Sequence, residues 1–276
     1  MPQDLHTAIT RCGWLGRSFG YQAVIASLTD KALPVPPRIS VILAATQPNA
    51  RVFAHLKMMA DSSQHPFRLV VVEQEACASP AVCGDIAHTH IRLRGEAGLH
   101  TARNIGALFA EGPILVFLSD AFYPLPDILD KYLACFEEHK PLAVRGVVKN
   151  VEQVSMPVGA FFRTTQSEPW IVDIDENLAV EANAFYALGG FDESLPEGCG
   201  AIDISIRLYE RCSDLTRQRY QADAAVVADA SFDPQMRYAR CQQAWHSLNK
   251  KYGQVLMYYS IVAESLCGIQ EEKRDE

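Results

Sequence analysis

The run Ile114-Leu115-Val116-Phe117-Leu118 is the tightest constraint on what this chain can fold into. It is a continuous apolar stretch, rich in β-formers and too short for an independent helix, which is the pattern of a strand covered on both faces. Upstream, Ala102, Ile105, Leu108 and Phe109 recur at helical spacing, and Glu111-Gly112-Pro113 stops that helix. Downstream, the strand opens at Ser119-Asp120-Ala121. A helix, a tight turn, a buried strand and then a polar loop form the unit of an open α/β sheet. Ligands bind such sheets at the carboxyl ends of their strands.

The same unit recurs along the chain. Arg38 to Ala44 reads as a first strand ending in Ala45-Thr46-Gln47-Pro48-Asn49, followed by a helix from about Ala50 to Ser62. Phe67 to Val72 is the next strand and ends at Glu73-Gln74-Glu75. Ile86 to Leu93 adds a short strand, with His88 and His90 on one face because side chains alternate along a strand. A helix from Asp127 to Glu138, a strand from Leu142 to Val148 and a strand from Tyr220 to Ala230 follow. Residues 151 to 174 read as an irregular, proline-interrupted connection.

The two ends differ from this pattern. Residues 1 to 33 carry a loose helical stripe (Ala8, Ile9, Leu15, Phe19, Ala23, Val24, Leu28), and Leu33-Pro34-Val35-Pro36-Pro37 is a stiff linker because proline fixes φ. Residues 234 to 267 read as one or two helices, with Trp245, Leu248, Tyr252, Leu256 and Tyr259 on the apolar side. The expected division is therefore a helical appendage with its linker (1–37), an α/β domain (38–230) and a C-terminal helical segment (231–276). The terminal helices are expected to pack, to join two copies into a homodimer, or to meet a partner protein.

Charge and composition remove several classes. A net charge of −8 and a pI near 5.5 argue against nucleic-acid binding, which calls for a basic stripe. No apolar run approaches the ~18 residues of a membrane span, and the first ten residues lack the basic and apolar regions of a signal peptide. The eight cysteines form no Cys-x-x-Cys pair, so reduced thiols in a cytoplasmic protein are expected, with Cys77 and Cys83 near enough in sequence to bridge under oxidation.

Several of these segments carry a resemblance. Ala102-Arg103-Asn104-Ile105-Gly106, then Phe117-Leu118, then Pro124-Leu125-Pro126-Asp127, and finally the apolar helix ending in Gly189-Gly190-Phe191-Asp192-Glu193 resemble a family 2 glycosyltransferase of the GT-A fold. The likeness covers about residues 38 to 230. It implies an α/β fold with a mainly parallel central sheet flanked by helices. It also implies a nucleotide-diphosphate sugar, UDP- or GDP-linked, as donor and an unknown acceptor as partner.

Functional positions of the family have been replaced. The usual Asp-x-Asp reads Ser119-Asp120-Ala121, and the Glu-Asp pair, whose aspartate resembles a general base, reads Gly200-Ala201. Asp203 and Arg207-Leu208 fix that register, and the metal-binding histidine of many relatives is Ala228. A methyl group cannot accept a proton from a sugar hydroxyl. A divalent ion wants several oxygen ligands, so Asp120 is the only candidate metal ligand, and magnesium or manganese is expected only when the nucleotide sugar brings it.

What the resemblance implies can be put on residues. Ala45, Thr46, Glu73, Arg103, Asn104, Ser119 and Asp120 are the expected nucleotide-binding positions. Glu73 is either a ribose contact or a solvated carboxylate at a strand end. Arg103 either binds phosphate or fixes the loop through an ion pair with Asp120. Arg92, Arg94 and Arg163 are further cations for a diphosphate. Asp203, Glu197 and Asp192 are the expected catalytic carboxylates on the acceptor side. Two functions follow: a glycosyltransferase that works without a tightly held metal, or an inactive GT-A-fold protein that serves as a binding or scaffolding partner. A nucleotidyltransferase would want a glycine-rich loop followed by Arg and Lys after the first strand, and Ala44 to Asn49 is not one.

Overall fold

The structure is a computed structural model and describes residues 5–31, 35–45, 50–74, 86, 88–149, 175–228, 243 and 246–253. Thr46, Arg163, Trp245, the Cys77–Cys83 pair and the connection expected over 151–174 lie outside the described residues.

Alternation of strand and helix from residue 39 onward builds one sheet. In chain order its elements are β2 (Ile39–Ala45), α3 (Ala50–Ser62), β3 (Phe67–Gln74), β4 (His88–Leu93), α4 (Leu99–Leu108), β5 (Ile114–Ser119), β6 (Phe122–Pro124) and α5 (Ile128–His139). They continue with β7 (Ala143–Lys149), β8 (Asn177–Glu181), α6 (Ala182–Leu188), α7 (Gly200–Cys212) and β9 (Gln218–Ala228). Before them come α1 (Leu5–Cys12), α2 (Ser18–Val24) and β1 (Ile25–Asp30). The strand order is β1-β4-β3-β2-β5-β8-β7-β9-β6, so β5 lies at the centre as its apolar run requires.

From β4 through β5 every pairing is parallel, while β1, β8 and β6 run antiparallel to their neighbours. Helices cover both faces. Every residue of β2 is buried, because alternate side chains enter two separate cores. Ile42, Val70, Val72, Leu115 and Phe117 pack with α1, α4, α6 and α7 on one face. Val41, Leu43, Leu69, Val71, Val116 and Leu118 pack with α3 and α5 on the other. Each large side chain so buried contributes about 1.5–3 kcal/mol. Helix α4 lies closest to the sheet at Gly106, where a β-carbon would stand 2.6 Å from Ile42 Cγ2.

The N-terminal stretch departs from expectation. Its first part is helical, but residues 25 to 30, read from the sequence as helix, form β1 and pair with β4 from Ile25↔Leu93 to Asp30↔Thr89. Strand β4 otherwise presents an unpaired edge, and pairing to it overrides the loose helical stripe that ends at Leu28. The stretch also packs into the core through Ala8, Ile9 and Tyr21. Asp30 is held by Arg68 of β3 and by Thr89 Oγ1 at 2.9 Å. Among the described residues, no helix is long and apolar enough to cross a membrane.

Candidate functional site

The register of the parallel strands lines up the expected nucleotide positions. Ala45 pairs with Glu73 and Glu73 with Arg92, while Ser119 pairs with Ala44 one rung lower. These residues therefore share the carboxyl edge of the sheet, the place where open α/β sheets hold ligands. Glu73 is not the solvated carboxylate of a strand end. It is 1% exposed, with His90 Nε2 at 2.8 Å and Arg92 Nε at 3.4 Å from its Oε1, and neither contact has hydrogen-bond geometry. His90 therefore sits against a carboxylate.

At the end of β5, Ser119 Oγ accepts from the Ala121 amide at 3.3 Å, and Asp120 is nearly buried. Strand β9 brings Ala228 opposite Phe122, two residues beyond Asp120. One carboxylate, one hydroxyl and two methyl groups do not fit a resident divalent ion. Among the described residues, no cluster of three or more His, Cys, Asp or Glu side chains is placed to hold one.

Arg103 has a different partner from the one expected. It is fully buried, and its guanidinium meets Asp175, not Asp120: Nη1 lies 3.3 Å from Oδ2 and Nη2 donates to the Asp175 carbonyl at 2.7 Å. Asp175 in turn accepts from the amides of Gly198 (3.2 Å), Gly200 (3.2 Å) and Ala201 (2.6 Å), at the start of α7. Unsatisfied amides and the helix dipole make that end a natural seat for a carboxylate. Burial opposes ionisation of Asp175, yet Arg103, His100 and these amides hold its carboxyl below the usual carboxylate range.

His100 completes this cluster. Its ring stacks on Phe191 with centroids 5.2 Å apart, and Nε2 lies 3.2 Å from the Pro196 carbonyl. Nδ1 is buried without a hydrogen bond. Burial pushes the imidazole pKa down, with Arg103 adding to the effect against Asp175 and Glu197. The ring also fills the space beside Gly200, where a β-carbon would come within 2.5 Å of its Cε1. A side chain at position 200, which the resemblance would make a glutamate, has no room while His100 stands there.

Asn104 is bonded within the protein. Its side chain donates to the Phe191 carbonyl (2.9 Å) and to Glu193 (2.8 Å), and its oxygen accepts from the Phe191 amide (2.8 Å). It thereby fastens the loop that follows α6. That loop begins with Gly189 and Gly190 at φ of +81° and +75°, the left-handed cap that glycine allows.

The expected catalytic carboxylates separate into two groups. Asp203 is fully buried and faces α7's own Arg207 (Nε at 2.8 Å from Oδ2), Lys251 Nζ (2.5 Å from Oδ1) and the Tyr252 hydroxyl (2.5 Å from Oδ1). Asp192 accepts from Lys251 Nζ (2.6 Å) and from the Ser194 hydroxyl (2.7 Å) and amide (2.9 Å). Partial burial opposes ionisation of Asp192, but Lys251 and Ser194 hold its carboxyl well below the usual range, which weakens it as a proton acceptor. Glu197 lies half-buried near His100, outside this Lys251 pair.

Sequence reasoning missed Asp175, His100 and Lys251, and it read Tyr252 only as part of an apolar helix side, where its hydroxyl in fact bonds Asp203. The Asp175–Arg103 and Lys251–Asp203 pairs join residues 72 and 48 positions apart. No periodicity or local motif links residues so distant, and only the register of β8 and the seating of the C-terminal segment bring them together.

No family model matches the sequence, and no curated protein matches it by sequence. Solved structures do match by shape. The mannosyltransferase PcManGT from Pyrobaculum calidifontis, in complex with GDP-Man and Mn2+, superposes with a TM-score of 0.58 at 17% identity, over 89% of this chain and 74% of that one. Glucosyl-3-phosphoglycerate synthase from Mycobacterium tuberculosis, with Mn2+, UDP and phosphoglyceric acid, gives 0.56 at 15% identity, over 79% of each chain. TarS 1-349 from S. aureus, in complex with UDP-GlcNAc, gives 0.55 at 16% identity, over 72% of this chain; the match spans only 60% of that chain. The shared architecture is the mixed α/β GT-A fold.

Proposed function

We propose that this chain binds a nucleotide-diphosphate sugar, UDP- or GDP-linked, across the carboxyl ends of β2, β3 and β5, and transfers the sugar to an acceptor without a tightly held metal of its own. The observation that carries the reading is the shared edge of Ala45, Glu73, Arg92 and Ser119–Asp120 in a GT-A fold, whose solved neighbours include complexes with UDP-GlcNAc and GDP-Man. Thr46 belongs to the same nucleotide-binding set. Arg103, fully buried against Asp175, fixes the start of α7 on the acceptor side, and we assign it no nucleotide contact. Arg92 is the cation of this edge that we assign to the diphosphate, and Glu197 is the carboxylate we assign to the acceptor hydroxyl.

Any divalent ion arrives with the diphosphate. Magnesium keeps most of its waters and needs only one or two protein carboxylates besides substrate phosphates, which Asp120 can supply.

A second reading, a GT-A-fold binding protein without transfer, is favoured by one observation. Asp192 and Asp203, two of the three expected catalytic carboxylates, are bonded to Lys251. Calorimetry with UDP-GlcNAc, UDP-Glc and GDP-Man, with and without manganese and with EDTA, followed by assay of released UDP or GDP, decides between them. Binding that survives EDTA, with nucleotide release on adding acceptor extracts, is the expected result. Binding without any release selects the second reading, and no binding to any of the three overturns both.

A further inference from the structure

The Gly190–Glu193 loop is gripped from both ends of the chain. On the N-terminal side, the Tyr21 hydroxyl bonds Glu193 and Arg17 Nη1 meets the same carboxylate at 3.2 Å. Trp14 packs beneath Gly190, so close that a β-carbon there would stand 2.6 Å from its ring, and its indole N–H donates to the Tyr186 carbonyl at 3.1 Å. On the C-terminal side, Lys251 Nζ bridges Asp192 of the loop (2.6 Å) and Asp203 of α7 (2.5 Å), and the Tyr252 hydroxyl adds a third contact. Arg207 closes the circuit by pairing with Asp203 and donating to the carbonyls of Leu188 and Gly190.

The charges make this a locked unit. Asp192 and Asp203 are two carboxylates from different elements, and Asp203 is wholly buried. Lys251 and Arg207 bring two cations to them, so the cluster is neutral. Taking away Lys251 would leave two neighbouring carboxylates with one guanidinium, an imbalance of buried charge that destabilises the closed arrangement.

We propose that Lys251 is a positioning residue that locks the Gly190–Glu193 loop to the start of α7, so that both terminal segments of the chain shape the acceptor side of the site. The functional part rests on the reading above, in which this side receives the acceptor. The locking itself does not, and can be tested without any ligand.

The test compares Lys251→Met, Lys251→Arg and the wild-type full chain by amide hydrogen exchange, with the Trp14 indole N–H resonance as a second reporter. In Lys251→Met, amides of residues 191–195 and 200–203 should exchange about tenfold faster or more, because local opening sets their rate, while those of β2 and β5 do not change. The Trp14 signal should shift, and Lys251→Arg should restore both readouts. Affinity for UDP-GlcNAc, UDP-Glc and GDP-Man should be the same in all three proteins, since the lock lies away from the ends of β2, β3 and β5. Unchanged exchange in folded Lys251→Met overturns the proposal, as does failure of the arginine to restore it. Loss of nucleotide-sugar binding in proportion to the exchange also overturns it. A wild type that binds none of the three sugars defeats the nucleotide reading alone, and the exchange result still decides the lock. Should Lys251→Met fail to fold, Asp192→Asn removes only the half-exposed arm and should free the same loop amides with α7 unaffected.

Discussion

Replacing Asp175 by asparagine should test the centre of the site most directly. The side chain keeps its shape and one carbonyl oxygen but loses its charge, and its new NH2 group faces donors. Those donors are Arg103 and the amides of Gly198, Gly200 and Ala201, all of which now bond the carboxylate. The pair is 0% and 2% exposed, so water screens nothing and the figure for a broken buried ion pair applies without discount. That figure is about 3–5 kcal/mol. For a chain of this size each kcal/mol moves the melting point by about 2–4 °C, so a fall on the order of 10 °C is expected. Urea unfolding at pH 7 would measure the loss as a lower midpoint with the same slope. Arg103→Met in the Asp175→Asn background should cost much less than in wild type, because the arginine has by then lost its counter-charge; a coupling of about 0.5–3 kcal/mol is expected. A loss below about 1 kcal/mol in the single variant, or strictly additive effects in the double, would refute the claim that this pair anchors α7.

Three further outcomes follow from the same geometry. Gly190→Ala should destabilise by about 2–5 kcal/mol, read by thermal melting, since a left-handed backbone costs a side chain ~1–2 and overpacking ~1–3; its β-carbon would meet Asn104 Oδ1 at 2.4 Å and Trp14 Cη2 at 2.6 Å. Gly200→Ala should cost about 1–3 kcal/mol by overpacking against His100 and Phe191, and His100→Ala in the same chain should recover part of it in urea titration. Because burial lowers the His100 pKa from its ordinary 6.5, the unfolded chain takes up that proton first as the pH falls. This contribution to stability is full above pH 6.5 and is lost as the pH drops through the folded value, and His100→Gln should flatten that part of a pH–stability curve.

Much of the fold was legible in the sequence because it depends on local periodicity. The apolar run at 114–118 specified a central strand, and the alternation of strand and helix from residue 38 specified a doubly covered sheet, since each pattern fits one arrangement of buried faces. Gly189-Gly190 marked the end of α6 because only glycine takes that left-handed turn cheaply. Residues 25–30 were misread because an edge strand is made by the neighbour it pairs with, and that neighbour lies some sixty positions away in β4. The site was legible only as a row of strand ends. Arg103 was visible as a cation, but its partner Asp175 was not; Asp203 was visible as a carboxylate, but Lys251 and Tyr252, which surround it, were not. A charged side chain announces its own chemistry in the sequence, whereas its pKa, its partner and its freedom to meet a ligand depend on what folding packs against it.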